Sequence, residues 1–596
     1  MKKFLKNFFI KLKNKEKNLV KNVKKHFTWD KNLFRKLKKN KGSKSPNLGQ
    51  LKYFPSVLTK KEKIIFVFWG LLFMSSLFFF VFRVYYRLPL VPAQGGEYTE
   101  GIIGQVESIN PLFSSRNDAE QDLTRLIFSG LFKTTNQGIS HDLVEKWEEK
   151  NDGKNYIFYL KKNIFWHDGH KFTADDVIFT ITTAQNERVN SPLKQILFGF
   201  EVKKINDNAF EIILEKPFSL LLPSLTFGII PKHLWQNVSF ENFLADDLNL
   251  MPVGTGPFKI KEKIGTGGGK IKTITLEKNK NYFHQTPHLN KITIKFFDNY
   301  EDAESALVTK KIEGLSYVRK ISDIETAPKN LNSYKIPLSY YSALFFNVES
   351  ETLKNKKMRE ILAHVLNKEE VFIDLKNIEP LKTAIVNPKI NLKEIDEYEH
   401  SIDLAITKLN ELGFIRKEDW FVDKNNTILE IKIIVPEGAV LQKIGQKIKE
   451  NWEDFGLKTN LFILTKNEFN NALQEKNYDA VLSTIVEGYQ PDPFSLWHST
   501  QATDGLNLSN LKDIQINILL EKIRTTIDQK KREEYYQEFQ QIISQQIPII
   551  FLYQTKLSYF RDKKINGFVP DYLTYPSDRF NNIESWYVFS KRAFKK

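Results

Sequence analysis

Five consecutive residues, Trp166-His167-Asp168-Gly169-His170, offer two imidazoles and a carboxylate, donors that hold a divalent transition cation when a further ligand joins them. No HExxH pair or second ligand cluster accompanies them, and Asp-Gly is itself a strong turn signal, so the string reads as a structural turn. The run Gly265-Thr266-Gly267-Gly268-Gly269-Lys270 invites a phosphate-loop reading, because amides of Gly-rich turns cradle phosphates. Its spacing is one residue short of GxxxxGK, and Ile271 stands where a Ser or Thr would hold magnesium. It reads as a hairpin loop between strands at 258–260 and 271–276. There is no GxSxG elbow and no Cys, which removes the serine elbow and cysteine nucleophiles. The expectation is a protein that breaks no bonds and needs no cofactor or metal.

These residues sit in a chain of two unequal parts. Residues 64–82, IIFVFWGLLFMSSLFFFVF, carry no charge across about 19 positions, enough to cross a bilayer core. Residues 1–63 hold 21 Lys/Arg against three acidic residues, and a basic flank stays cytoplasmic. The reading is a cell-membrane protein with one span at 64–86, its N-terminus inside and everything after a linker at 87–96 outside. A cleavable signal peptide fits poorly, since the basic stretch and the apolar core both exceed that pattern. With no Cys, neither a lipidated cysteine nor a disulfide is available.

The charge belongs to the tail. Its 21 minus 3 is +18 against +17 for the whole chain, which leaves the rest near −1 and argues against a nucleic-acid partner. Phe4, Leu5, Phe8, Phe9 and Leu12 fall at helical spacing among lysines, so the tail either lies on the anionic inner leaflet or is a solvated basic arm. The outside part, roughly 500 residues, exceeds the size at which one core stops growing, so at least two lobes are expected.

Within that part, 155–160 reads as a strand, 161–163 as its turn and 164–166 as the return strand. Thr173-Ala174-Asp175-Asp176 has capping-box spacing ahead of an apolar run. Met358, Ile361, Leu362, Val365 and Leu366 share one helical face, and Leu404, Ala405, Lys408, Leu409 and Leu412 share another that stops at Gly413. A strand at 428–435, a helix through Leu441, Ile444, Ile448, Trp452 and Phe455 capped by Gly456, and a strand at 461–464 make a βαβ unit. Tyr535, Phe539, Ile542 and Ile543 mark a further helix, and Pro548 opens a strand at 549–553. The class is α/β.

Residues 141–181, HDLVEKWEEKNDGKNYIFYLKKNIFWHDGHKFTADDVIFTI, resemble the signature of the family 5 extracellular solute-binding proteins, the dipeptide, oligopeptide and nickel binders of ABC importers. Ser108-Ile109-Asn110-Pro111 with Phe128-Ser129-Gly130-Leu131 looks like the family's opening. Pro231-Lys232-His233, Pro252 to Phe258, Phe346-Asn347, Arg359 to Asn367, Pro491-Asp492-Pro493 and Ile547-Pro548 follow in the family's order, so the likeness spans roughly 97–560. It implies a two-lobed, periplasmic-binding-protein-like fold of class II type after one transmembrane helix. Lobe I would comprise 97–340 with an extra subdomain at about 131–250, lobe II 341–540, and 541–596 would return to lobe I. Gly254 and Gly256 would permit a tight turn, and Trp147 and Trp166 would fill the core.

The resemblance also implies the ligand wall. Peptide-binding relatives place a carboxylate three residues before the acidic residue of the Asp/Glu-Pro pair, where it holds the peptide's α-ammonium. Here that position is Tyr489, and the Trp usually found three residues earlier is Val486. Glu487 or Asp492 could supply the charge instead, because a buried ammonium needs a charged partner, although Asp492-Pro493 also suits a mere turn. The candidates for ligand binding are Asn110, Glu487, Tyr489, Gln490, Asp492 and Trp497, with core packing the alternative for Trp497. The expected partners are a peptide, the permease subunits of an ABC importer and the membrane. Rival readings on the same fold are a binder of a nickel chelate or oligosaccharide, and a sensor or cell-surface interaction protein.

Overall fold

The computed structural model describes residues 59–114, 117–135, 138–265, 270–317, 328–373, 375–387, 390, 392–395, 398–569 and 572–593, with the side chain of residue 504 excepted. The amphipathic tail and the Gly-rich loop at 266–269 expected from sequence lie outside them. The chain divides into two compact units, residues 1–89 with 592–596, and residues 90–591.

In the first unit, α1 (Lys60–Arg87) is 28 residues long and buries none of its side chains. At a rise of about 1.5 Å per residue it extends about 42 Å, long and apolar enough to cross a membrane. Thr59 and Glu62 close a capping box at its start.

After a short strand at Leu90–Pro92, the second unit continues with β1 (Glu97–Ile103). A four-stranded antiparallel sheet follows, built from β2 (Val144–Lys150), β3 (Asn155–Leu160), β4 (Glu201–Asn206) and β5 (Ala209–Ile213) in the order β2-β3-β5-β4, with α2 (Ala174–Gln185) between β3 and β4 in the chain. Next come the short α3 (Lys232–Trp235), β6 (Phe258–Gly265), β7 (Ile271–Lys278), β8 (Lys291–Phe297), β9 (Gly314–Ser316) and β10 (Leu331–Phe346). Then follow β11 (Glu430–Pro436), α4 (Ala439–Phe455), β12 (Lys458–Leu464), β13 (Ala480–Val486), α5 (Ile514–Thr525), α6 (Gln529–Gln546) and β14 (Ile549–Asp562).

One eleven-stranded sheet, ordered β12-β11-β13-β10-β14-β9-β1-β8-β7-β6 with the strand Ile378–Pro380 on β14, runs through the whole unit. Its two halves have different cores. In one half, period-two alternation sends Leu344, Ile433, Leu482 and Leu552 to one face and Phe345, Ile434, Val481 and Phe551 to the other, each face covered by helices. In the other half, Ile292, Ile294, Ile336, Leu557 and Tyr559 join a cluster that includes the four-stranded sheet through Phe158, Phe210 and Ile212. We call the half around Ile292 and Phe158 lobe I and the half around Leu344 and Phe345 lobe II; among the described residues, β10 and β14 pack into both. Their antiparallel register breaks between Pro337 and Tyr341, where Pro337 has no N–H to donate.

The βαβ unit stands as expected, with β11 parallel to β12 and Gly456 at φ +107° ending α4. The capping box of α2 is made by Thr173 and Asp176. The return strand at 164–166 is not made. Both edges of β3 are already taken by β2 and β5, and Asn163 turns the chain away at φ +60°. Phe165 instead bridges Lys171 around the Asp168-Gly169 turn. Gly254 and Gly256 serve close approach rather than a tight turn: a Cβ on Gly254 would meet Ile127 O at 1.9 Å, and Gly256 N donates to that same oxygen at 2.8 Å. Leu404, placed on the buried face of its helix by spacing, is exposed, while Ala405 and Leu409 are buried.

Candidate functional site

The cleft between the two cores encloses about 1010 Å³, at the top of the range for ligand pockets. Lobe I contributes Arg125, Phe128, Lys133, Asp142, Phe198, Phe218, Tyr282, Asp578 and Glu584 among others. Lobe II contributes the continuous stretch 483–490, then Asp492, Phe494, Trp497 and Arg524. The segment leaves the end of β13 at the register break, where Glu487 N donates to Ser339 O at 2.8 Å. Sheet geometry thus delivers residues 487–492 to the point where the lobes meet.

The half-buried and buried carboxylates of this cleft mostly have basic partners. Asp578 faces Arg125 at 2.8 Å, Glu584 faces Lys133 at 3.3 Å and Asp142 faces His284 at 2.8 Å. Asp492 is gripped by Arg524, Nε at 3.0 Å from Oδ1 and Nη2 at 2.5 Å from Oδ2. The Arg524 guanidinium also lies 3.7 Å over the Phe494 ring, which stacks on His498 at 4.1 Å. Asp492 is therefore neutralised from within the protein.

Glu487 differs. It is 8 % exposed, and among the described residues its carboxylate has no basic partner. Its Oε2 accepts from Val386 N at 2.9 Å, and burial pushes its carboxyl up to about 8 against that single stabilising bond. Beside it, the buried Oε1 of Gln490 has no hydrogen-bond partner among the described residues. Tyr489 lines the same wall, with its carbonyl taking Asn387 Nδ2 at 2.7 Å and its hydroxyl 3.6 Å from where a Cβ on Gly138 would stand. The arrangement can accept hydrogen bonds from a ligand and neutralise one positive charge.

Two expected site residues are placed otherwise. Asn110 is 1 % exposed and lies outside the cleft wall. Its side chain is engaged by Asn249 Oδ1 at 2.9 Å and Leu112 N at 3.0 Å, which fix the turn after it. Trp497 touches the cleft with 1 % of its surface and packs against Phe345 and Phe539, so it fills the core behind the wall.

Sequence reasoning missed Ser219 and Arg524. Ser219 N donates to Arg524 O at 2.7 Å and its hydroxyl to Ile523 O at 3.0 Å, so a lobe I loop caps the C-terminal carbonyls of α5 in lobe II. Next to it, a Cβ on Gly153 would meet Ile527 at 2.8 Å. No local pattern marks Ser219. Arg524 carries the weak signal of a basic residue in the last turn of a helix.

A two-lobed α/β fold with an aromatic, hydrogen-bonding cleft between its lobes is that of a solute-binding protein. Residues 138–507, more than half the chain, match the family described as bacterial extracellular solute-binding proteins, family 5 middle, and the chain belongs to that family. It is similar to the oligopeptide-binding protein AppA of Bacillus subtilis (strain 168), 26% identical over 522 residues that cover 83% of this chain and 92% of that protein. The dipeptide-binding protein of Escherichia coli (strain K12) is 22% identical over 504 residues, 78% of this chain and 91% of that one. Among solved structures, AppA from Bacillus subtilis in complex with a nonapeptide aligns with a TM-score of 0.69 at 24% identity, covering 84% of this chain and 100% of that one. NikZ from Campylobacter jejuni in complex with Ni(L-His) aligns with a TM-score of 0.69 at 24% identity, covering 82% and 99%. This is a solute-binding protein of the ABC-importer kind, not an enzyme.

Proposed function

We propose that the chain captures peptides outside the cell for an ABC-type importer, held to the membrane by α1 with its basic tail inside. The observation that carries the ligand reading is Glu487: a buried carboxyl in the cleft wall, lacking a basic partner, is stable as the acid and becomes an anion when a ligand brings the cation. A peptide's α-ammonium supplies that charge and donors for Gln490 Oε1. Glu487 thus stands in for the carboxylate that Tyr489 displaces. The bidentate pair with Arg524 supports Glu487 over Asp492 as the group that meets the ligand's charge.

The importer reading is supported by family membership, and the peptide reading by relatives such as the oligopeptide-binding and dipeptide-binding proteins. The anchor reading is supported by a 28-residue helix that carries the uncharged run 64–82 and buries nothing. The Ser219 cap on α5 joins the lobes across the cleft, as a closed, ligand-enclosing state requires.

Mass spectrometry of small molecules released on denaturing the purified full-length protein is the test. A ladder of short peptides is expected, and a single sugar or metal chelate would overturn the peptide reading. Sodium carbonate extraction should leave the protein in the membrane pellet. Release into the supernatant would overturn the anchor.

A further inference from the structure

The turn at 165–171 serves neither the cleft nor the hinge, yet the fold brings a third metal-ligating side chain to it. His233, on α3, lies 65 residues further along the chain, with Nε2 2.7 Å from Asp168 Oδ2. On the other side of the same carboxylate, His170 Nδ1 is 3.2 Å from Asp168 Oδ1. The two imidazoles lie 4.1 Å apart and 23° from parallel. The ligating atoms of all three residues fall within 4.8 Å of one another. His167 is excluded: its Nδ1 accepts from Gly254 N and its Nε2 donates to Gly256 O, both structural bonds.

We propose that Asp168, His170 and His233 form a surface site for a divalent transition cation of the Zn²⁺ or Ni²⁺ type, separate from the ligand cleft. Two imidazoles and one carboxylate suit these ions, whereas Ca²⁺ and Mg²⁺ want an all-oxygen shell. With bonds of about 2.0–2.2 Å, tetrahedral ligand atoms sit about 3.3–3.5 Å apart, so ligand atoms now within 4.8 Å of one another must close by about 1.4 Å at most. The scaffold holds two of the three ligands. Asp168 is fixed by its bond from His170 N at 3.0 Å in a turn with Gly169 at φ +94°. His233 rests on the Trp166 ring, 6.4 Å between centroids. The His170 side chain is 63% exposed, which supplies the entry path and lets the third ligand adjust. The nearby Lys232 and Lys204 are drawn to Asp175, at 3.8 and 2.6 Å, so their charges are partly answered. Three protein ligands leave a coordination position open to water or to a side chain of another protein. None of the three residues lines the cleft.

The test uses the full-length protein in detergent micelles, titrated calorimetrically with Zn²⁺ and loaded with one equivalent of Cu²⁺ for electron paramagnetic resonance. Wild type should bind one Zn²⁺ at this site, and the Cu²⁺ spectrum should show coupling to two imidazole nitrogens. His170→Ala, at an exposed position, should keep the melting temperature, weaken binding at least about tenfold and leave one nitrogen. His233→Ala should do the same to the metal signal, and Glu487→Gln should leave it untouched. No binding by wild type, unchanged binding in His170→Ala, or binding that follows Glu487 would each overturn the site.

Discussion

Two buried acidic sites in this molecule obey opposite rules. In lobe I, Arg579 is fully buried and meets Glu100 Oε1 at 2.9 Å and Asp122 at 2.8 and 2.5 Å, while Tyr559 donates to Glu100 at 3.2 Å. Burial raises both carboxyls, and the guanidinium draws them back toward ionisation. In the cleft wall, Glu487 is also buried but has no such cation among the described residues. The first site has satisfied its charges within the fold and can only hold lobe I together. The second leaves its charge to be completed by something that enters. A buried acid marks structure when its counter-ion is built in and function when the counter-ion must arrive.

The largest effect that would sharpen this contrast is the loss of Arg579. Arg579→Met strands two carboxyls in the core and should cost about 3–5 kcal/mol by denaturant unfolding, with peptide affinity of the surviving folded protein intact. An equal loss of affinity at unchanged stability would break the distinction.

Next comes Glu487→Gln, which should weaken peptides with a free α-ammonium by about 2 kcal/mol or more in calorimetry, and leave N-acetylated peptides almost unaffected. The same variant has a pH signature. An unfolded glutamate titrates near 4.5 and this one at about 8, so between these values the folded, ligand-free protein keeps a proton that the unfolded chain has lost. Its contribution to stability is complete below pH 4.5 and fades as the pH rises through 8. Ligand-free wild type should therefore melt lower at about pH 9 than at about pH 6 by more than Glu487→Gln does, and peptide binding near pH 7 should release a proton. A wild type and variant with parallel pH profiles would show that Glu487 is ionised without ligand.

A smaller effect belongs to the cap between the lobes. Ser219→Pro removes the N–H that meets Arg524 O, and should shift scattering profiles toward an open form and cost about 1 kcal/mol in affinity through faster ligand release. Smallest is Tyr489→Phe, which keeps the ring and should change affinity by a few tenths of a kcal/mol. A loss as large as that of Glu487→Gln would move the charge-recognising group to Tyr489.

Much of this was legible because it is local. The capping box at Thr173, the βαβ unit ended by Gly456 and the apolar run of α1 are patterns within one or two turns of chain, and the string at 141–181 identifies the family outright. The wall segment 486–493 could be found by its relation to Asp492-Pro493. What could not be read is what depends on distant partners. Asp492 is paired with Arg524, 32 residues away, and Asn110 with Asn249, 139 residues away. The strand expected at 164–166 failed because β3 already had two neighbours, one of them contributed by residues 209–213. His233 joined Asp168 from 65 residues off.

The strands β10 and β14 that join the two lobes also set an order of assembly. The chain enters lobe I at β1, leaves through β10, builds lobe II and returns only through β14, so Arg579 reaches Glu100 across 479 residues. A chain delivered N-terminus first must keep Glu100 and Asp122 waiting for their cation until Arg579 emerges. Lobe II takes less from beyond β14, such as the Tyr572 hydroxyl on Val386 O. Its helices and the local β11–α4–β12 unit can form first, and lobe I should be the slow, late and aggregation-exposed half of the molecule.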